Sequence, residues 1–294
     1  MQRNEPSGYL QLIVFSILAG SVGVFVRMIE SMTAYSILFF RAAIGVLFIL
    51  MIILLKKKTG ELKLVYPAKT FLVGLFQGLS ILLYFYAVLN TTIANSVFLL
   101  YTAPVFSVIL ANSILKEEIR RETLVGLTLT LFGIVLILDP TNFSINSRDT
   151  LGVLAGIGSG IFYSAMAITA KTVSKKASGY YLAFWQYLVI SALFSFSLIN
   201  QSIEVVSMNF PFLLYLGVFT CGIAFILFME GVRKVKAQKV FIVTALEPLV
   251  ATFLAFFVIK EVPTALTLGG AFFILLGVYA VVQKNSKPNF QVSS

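Results

Sequence analysis

The stretch "LYTAPVFSVILANSILKEEI", residues 100–119, returns in altered form as "LEPLVATFLAFFVIKEV", residues 246–262. Each is a long apolar run with an early proline and a Lys-Glu pair at its end. Sliding the chain along itself by 144 residues lays Pro104 on Pro248, Leu110 on Leu254, Ala111 on Ala255, Lys116 on Lys260 and Glu117 on Glu261. The same register carries Thr123/Thr267, Leu124/Leu268, Gly126/Gly270, Leu131/Leu275 and Gly133/Gly277, and it reaches back to Gly78/Gly222. With a one-residue insertion, Tyr35 meets Tyr180 and Phe39 meets Phe184. The chain reads as two copies of one unit, over residues 1–145 and 146–294.

The solvent of that unit follows from composition. Of 294 residues, 59% are hydrophobic and 12% charged, with a mean hydropathy of +0.97. A soluble domain averages about 45–50% apolar and about 25% charged residues. A membrane span needs roughly 20 mostly apolar residues. Ten runs qualify, at about residues 9–27, 33–55, 70–89, 93–115, 123–139, 150–170, 180–199, 211–231, 239–259 and 265–282. They are continuous rather than alternating, so they predict helices and not a barrel. The first run, Tyr9 to Val26, exceeds the ~7–15 residues of a signal-peptide core and has no clean cleavage site after it. It is expected to stay as the first span.

Basic residues orient the ten spans. With the N-terminus inside, eighteen of the 22 Lys and Arg fall in inside segments. Those segments hold Arg3, Lys56–Lys58, Lys63, Lys69, Lys116, Arg120, Arg121, Lys171, Lys175, Lys176, Arg233, Lys234, Lys236, Lys239, Lys284 and Lys287. Only Arg27, Arg148 and Lys260 fall outside, and Arg41 alone lies within a span. A missed span would invert every later loop and spoil the asymmetry. The positive-inside rule thus predicts ten spans with both termini cytoplasmic. The net charge of +10 is accounted for by topology, and no nucleic-acid partner is expected. Five spans per copy is an odd number, so the second copy enters the membrane from the opposite side. Inverted copies give a carrier two near-equivalent states, with substrate held near the midplane between them.

Two five-helix halves, each ending in proline, an apolar run, Lys-Glu and then Gly-x6-Gly, resemble the EamA branch of the drug/metabolite transporter superfamily. The resemblance covers about residues 9–282, and Leu246–Glu261 is its most specific part; the first copy departs with Ala103 where the second has Glu247. It implies a secondary carrier, often an exporter of amino acids, related metabolites or drugs. The expected fold is an all-α polytopic membrane protein, and the expected location is the cell's cytoplasmic membrane.

Arg41, in "AYSILFFRAAIGVLF", costs about 2.5–3.5 kcal/mol at the centre of a span and must face protein, water or a ligand. It reads as an anchor for a substrate carboxylate or as a gate, against snorkelling or a backbone contact; its repeat counterpart is Gln186. Glu247, beside the kink expected at Pro248, reads as a contact for a substrate amine or a proton, against a structural role between the halves. Pro104 is the matching kink in the first copy. Glu230 reads as a salt-bridge residue near Arg233–Lys239, with inner-gate or coupling chemistry as the alternative. Gln77, Ser80 and Tyr84 are polar residues of the third span and candidates to line a cavity, with interhelical hydrogen bonds of about 0.6 kcal/mol as the alternative. Tyr101 and Trp185 join them, although interfacial anchoring also explains aromatics. Glu117 and Glu261 read as helix caps or ion-pair residues. Gly74-x-x-x-Gly78 and Gly156-x-x-x-Gly160 predict close helix packing; a homodimer face would use the same spacing, and nothing else in the sequence supports one.

One deep cation and one deep anion in an apolar, aromatic bundle point to a small zwitterion, an amino acid or derivative, moved by alternating access, with proton coupling left to Glu247 or Glu230. The chain has no histidine, no metal-ligand cluster, no phosphate loop and no nucleophile elbow. No cofactor or metal is expected, and the sole cysteine, Cys221, reads as a packing residue. A nontransporting receptor or assembly protein, or a lipid-modifying membrane enzyme, are the other classes compatible with such a bundle.

Overall fold

A backbone in hydrocarbon must satisfy its own N–H and C=O groups, and a helix does so within one segment. The computed structural model describes residues 5–90, 99–137, 150–259 and 264–283, which are helical throughout their apolar runs and contain no strand. Helix α1 is Glu5–Gly20 and continues past Ser21 as Val22–Arg27; α2 is Ala34–Leu55, α3 Pro67–Asn90, α4 Ala103–Leu115 and α5 Arg121–Ile137. In the second half α6 is Thr150–Val173 and α7 is Gly179–Leu193. Helix α8 joins Ile203–Tyr215, a π-helical Leu216–Ala224 and Phe225–Lys234, α9 joins Ala237–Thr244 and Glu247–Ile259, and α10 is Ala265–Gln283. Seven of these segments are long and apolar enough to cross a membrane, those within α1, α2, α3, α6, α8, α9 and α10, while α4 is a shorter apolar helix. The second Lys-Glu pair, Lys260–Glu261, lies outside the described residues.

The repeated glycines show their use in the pair α5/α10. A Cβ on Gly126 would sit 3.0 Å from the Gly277 carbonyl oxygen, and one on Gly133 would sit 2.5 Å from that of Gly270. The pairing is crosswise. Residues equivalent in the repeat register face their opposites, so the two helices run antiparallel and touch backbone to backbone. The other glycine pairs are also used inside the chain. A Cβ on Gly74 would lie 2.5 Å from Val189 Cβ, and one on Gly156 would lie 2.6 Å from Leu99 Cβ.

Several helices are interrupted, and each interruption has a chemical cause. At Ser21 the side chain donates to the Leu18 carbonyl at 2.6 Å and meets the Tyr215 hydroxyl at 2.9 Å. In α9 the chain turns at Ala245–Leu246 and restarts at Glu247. Pro248 lacks the N–H that would reach back to Thr244, so a continuous helix would lose a bond there. Pro104 likewise falls in the first turn of α4, where a missing donor costs nothing. Both prolines therefore restart a helix; neither bends an unbroken one. Helix α8 starts at Ile203, well before the expected 211, because Ser202 caps it by accepting from the Val205 amide at 3.3 Å.

Candidate functional site

The restart of α9 places Glu247 inside the bundle. Its Oε1 is buried with no hydrogen-bond partner among the described residues. Tyr101, just before α4, is within side-chain hydrogen-bonding reach of that carboxyl. Tyr163 of α6 is close enough to act on that carboxyl electrostatically, and Tyr84 of α3 is close enough to act on Tyr101 in the same way. Segments from both halves thus place one carboxyl and three phenols in one region of the bundle.

Arg41 forms a second pole. Its Nε is buried and unpartnered, and Tyr187 of α7 and Cys221 of α8 lie beside it. Helix α2 approaches α8 closely here because the facing residues are small. A Cβ on Gly217 would lie 3.1 Å from the Arg41 carbonyl oxygen, and one on Gly45 would lie 2.7 Å from Cys221 Cβ. The π-helical turns of α8 coincide with this contact, and π segments recur where a helix must present side chains out of ordinary register.

Between the two poles an aromatic chain runs from Tyr163 through Phe228 and Phe225 to Tyr187, with ring centroids 6.2, 5.6 and 5.2 Å apart in turn. Their walls are aromatic. Tyr163 lies 4.8 Å from Phe241 and 6.2 Å from Phe228, centroid to centroid, Tyr187 lies 5.2 Å from Phe225, and Phe15 lies 4.7 Å from Phe228. No ion pair joins Arg41 to Glu247. An ionisable group held in low dielectric without a partner is costly. Each pole keeps one buried polar atom without a partner, Arg41 Nε and Glu247 Oε1, on ionisable groups of opposite kind.

The remaining expected residues divide. Gln186 is fully buried with both amide atoms unpartnered, and Gln77 Oε1 and Trp185 Nε1 are also buried without partners. Gln186 borders α3, since a Cβ on Gly74, one turn before Gln77, would sit 3.1 Å from its carbonyl oxygen. Ser80 instead donates to the Ser159 carbonyl at 3.0 Å, an interhelical bond that leaves it no hydrogen for a ligand. Ser80 and Tyr84 therefore part company despite sharing a helix face. Glu230 is held by Arg233 at 2.7 and 2.8 Å and by the Gly179 amide at 2.6 Å; it ties α8 to the start of α7. Tyr163 and Tyr187 were missed by the sequence reading, although the signal that singled out Tyr84, a hydroxyl at membrane depth, is the same for both.

A second polar cluster lies at the α8–α9 junction. The Lys171 ammonium donates to the carbonyls of Val232 and Val235, and to that of Arg233 at 3.2 Å. From the other side, Glu117 accepts from the Ala237 amide at 3.1 Å and from the Gln238 amide at 3.4 Å. A cation thus sits at the end of α8 and an anion at the start of α9, each matching the helix dipole it faces. Lys116 adopts φ 55°, a left-handed turn that ends α4 and aims Glu117 at α9. The Lys-Glu pair at the end of the repeated run is, in the first copy, a turn and a cap made across the two halves.

Comparison with known proteins agrees with this architecture. The EamA-like transporter family model matches the chain twice, over residues 6–139 and 150–283. An uncharacterized transporter of Archaeoglobus fulgidus is 31% identical over 273 residues, covering 92% of this chain and 94% of the relative. Human solute carrier family 35 member G1 is 26% identical, covering 94% of this chain and 78% of its own length. The pseudopaline exporter CntI of Pseudomonas aeruginosa is 27% identical over 164 residues, 55% of each chain. A crystal structure with 18% sequence identity superposes with a TM-score of 0.84 over 94% of this chain and 96% of the other, and so shares the fold. The protein is a multi-pass membrane transporter and belongs to the EamA-like transporter family.

Proposed function

We propose that the chain is a secondary carrier of the cell membrane that exports a small zwitterionic metabolite, an amino acid or derivative. The observation that carries this reading is the pair of buried, unpartnered atoms, Arg41 Nε and Glu247 Oε1, set among aromatic walls with the aromatic chain from Tyr163 to Tyr187 between them. A carboxylate offers the guanidinium a charge-assisted partner, and an ammonium does the same for Glu247; aromatic faces add cation–π attraction for the amine. Ten crossings with both termini inside, and halves 1–145 and 146–294 inserted in opposite senses, are supported by the crosswise glycine pairing of α5 and α10 and by the double family match. On that frame one half rocks against the other to expose the poles to each face in turn. The name of the exporter relative supports the outward direction. Coupling, where a proton is used, falls to Glu247, because Glu230 is engaged by Arg233 and the Gly179 amide.

The test is flux into and out of proteoliposomes for a labelled amino-acid panel, with carboxylate-only and amine-only analogues, with and without a pH gradient. Wild type should carry the zwitterion. Arg41→Ala should lower its flux at least tenfold, about the value of one charge-assisted contact, and should remove competition by the carboxylate-only analogue. Glu247→Gln should remove competition by the amine-only analogue. Undiminished zwitterion flux in both folded variants would overturn the assignment of the poles.

A further inference from the structure

The Lys-rich end of α2 carries a feature that the carrier reading does not use. Three consecutive lysines, Lys56–Lys58, follow the last residue of α2. The chain leaves the helix through a left-handed residue, Lys57 with φ 52°, while the Lys57 amide donates to Leu54 O at 3.0 Å and the Lys58 amide to Ile53 O at 2.9 Å. Glycine is the usual occupant of that position, because a Cβ is strained there. The tight turn returns Lys58 to the side of Lys56, and both meet one ring on α7. Lys56 Nζ donates to the Tyr180 hydroxyl at 2.8 Å and lies 5.2 Å from the ring centroid; Lys58 Nζ lies 4.7 Å from it. Among the described residues no carboxylate forms a salt bridge with either lysine. Two like charges are held over one ring with no anion between them, and the Tyr180 hydroxyl, already accepting, has its own hydrogen to donate.

We propose that this end of the α2/α7 seam binds the headgroup of an anionic phospholipid, with Lys56, Lys58 and Tyr180 as donors to its phosphate. Two ammonium groups and a phenol match the oxygens of a phosphodiester. Helix α7 begins at Gly179, so its positive end adds to the field. The surface beside the lysines selects a lipid over free phosphate. Leu54 and Leu55, on the last turn of α2, are 52% and 72% exposed, and Leu64 and Val65 beyond the turn are also exposed. Charged donors that follow exposed leucines in the chain give an acyl chain apolar surface to lie on while its headgroup is held. Basic pockets between membrane helices recognise anionic headgroups by this arrangement. Because α2 and α7 belong to different halves of the chain, the bound headgroup spans the seam along which those halves meet.

Native mass spectrometry of the full chain in neutral detergent tests the site, with phosphatidylglycerol against phosphatidylcholine as probes. Wild type should retain phosphatidylglycerol selectively. Each direct charge-assisted contact to the phosphate contributes at least about fivefold, so Lys56→Gln/Lys58→Gln should weaken retention at least about 30-fold. The control Lys63→Gln/Lys69→Gln, with the same loss of charge, should change it less than threefold. Tyr180→Phe keeps the ring, loses the hydroxyl and should lower retention a few-fold, which tests the site independently should the double variant fail to fold. Equal losses in the double variant and the control would reduce the effect to bulk charge and overturn the site. Unchanged retention in a folded double variant would overturn it too, and displacement by inorganic phosphate at concentrations equal to the lipid would make it a free-anion site.

Discussion

Glu117 gives the sharpest test of how the two halves are held together. Its carboxylate reaches from the turn after α4 to the first amides of α9, Ala237 at 3.1 Å and Gln238 at 3.4 Å, with Gln238 Nε2 also at 3.4 Å. Lys236, at the N-cap of α9, makes no capping bond with its own side chain, so the cap is supplied entirely from the other half. Losing an N-cap acceptor costs ~0.5–2 kcal/mol, and a charge at a helix N-terminus adds ~0.3–1 kcal/mol. Glu117→Ala should therefore weaken the start of α9 by about 1–2 kcal/mol, a factor of about 5–30 in its local opening. Glu117→Gln keeps one acceptor without the charge and should cost about 0.5–1 kcal/mol, a factor of about 2–5. Hydrogen–deuterium exchange of the protein in nanodiscs reads this directly, in peptides covering residues 234–241. Exchange there should rise by those factors in the order Ala, Gln, wild type, while peptides of α5 and α10 stay unchanged. An unaltered 234–241 peptide in Glu117→Ala would refute the trans-cap, and an equal rise in α5 and α10 would show global loosening instead.

The structure supports other substitutions. Gly133→Ala drives a Cβ to 2.5 Å from the Gly270 carbonyl oxygen, so α5 and α10 must separate; a cost of about 1–3 kcal/mol should lower the detergent melting temperature by several degrees. Gly269→Ala, whose Cβ meets nothing nearer than Leu136 Cδ1 at 4.0 Å, should leave that melt unchanged. Lys171→Met removes the ammonium from the carbonyls of Val232, Arg233 and Val235, and each orphaned group costs about 1–3 kcal/mol where water cannot reach it. Limited trypsin digestion should then cut faster after Arg233, Lys234 and Lys236 than in wild type.

The apolar runs located the helices because a span of hydrocarbon demands length, and length is written in the sequence. What the sequence could not show was depth within the bundle. Lys171 and Lys239 were counted with the inside basic residues, yet both are buried, at 7% and 1% exposure; the acceptors that hold Lys171 are carbonyls distant in the chain and have no side-chain signature. The same limit hid the early start of α8, since "SIEVVSMN" is too polar to read as a span and becomes helical through the Ser202 cap. The π-helical Leu216–Ala224 is about as apolar as the α-helices around it, so its composition does not set it apart. Arg41 and Glu247 were legible as isolated ionisable residues at depth. The aromatic chain between them was not, because Tyr163 and Tyr187 lie among ordinary aromatics.

The opening repeat can now be read as two devices folded into one motif. Its proline restarts a helix, and at Pro248 that restart turns Glu247 inward; at Pro104 the equivalent position is Ala103, whose carbonyl accepts from Ser164 at 2.7 Å. The first copy therefore closes its break with a neutral bond between helices, whereas the second leaves a carboxyl oxygen unpaired. The Lys-Glu pair ends the first run in a left-handed turn and a cap on α9, the helix whose second segment carries Glu247. A change at the α4 end thus acts on the same helix that carries the Glu247 carboxyl, separated from it by the break at Ala245–Leu246. Asymmetry between the copies, more than their likeness, marks the two poles: shared residues build the frame, and Ala103 against Glu247, or Arg41 against Gln186, set where an ionisable group lies inside the bundle.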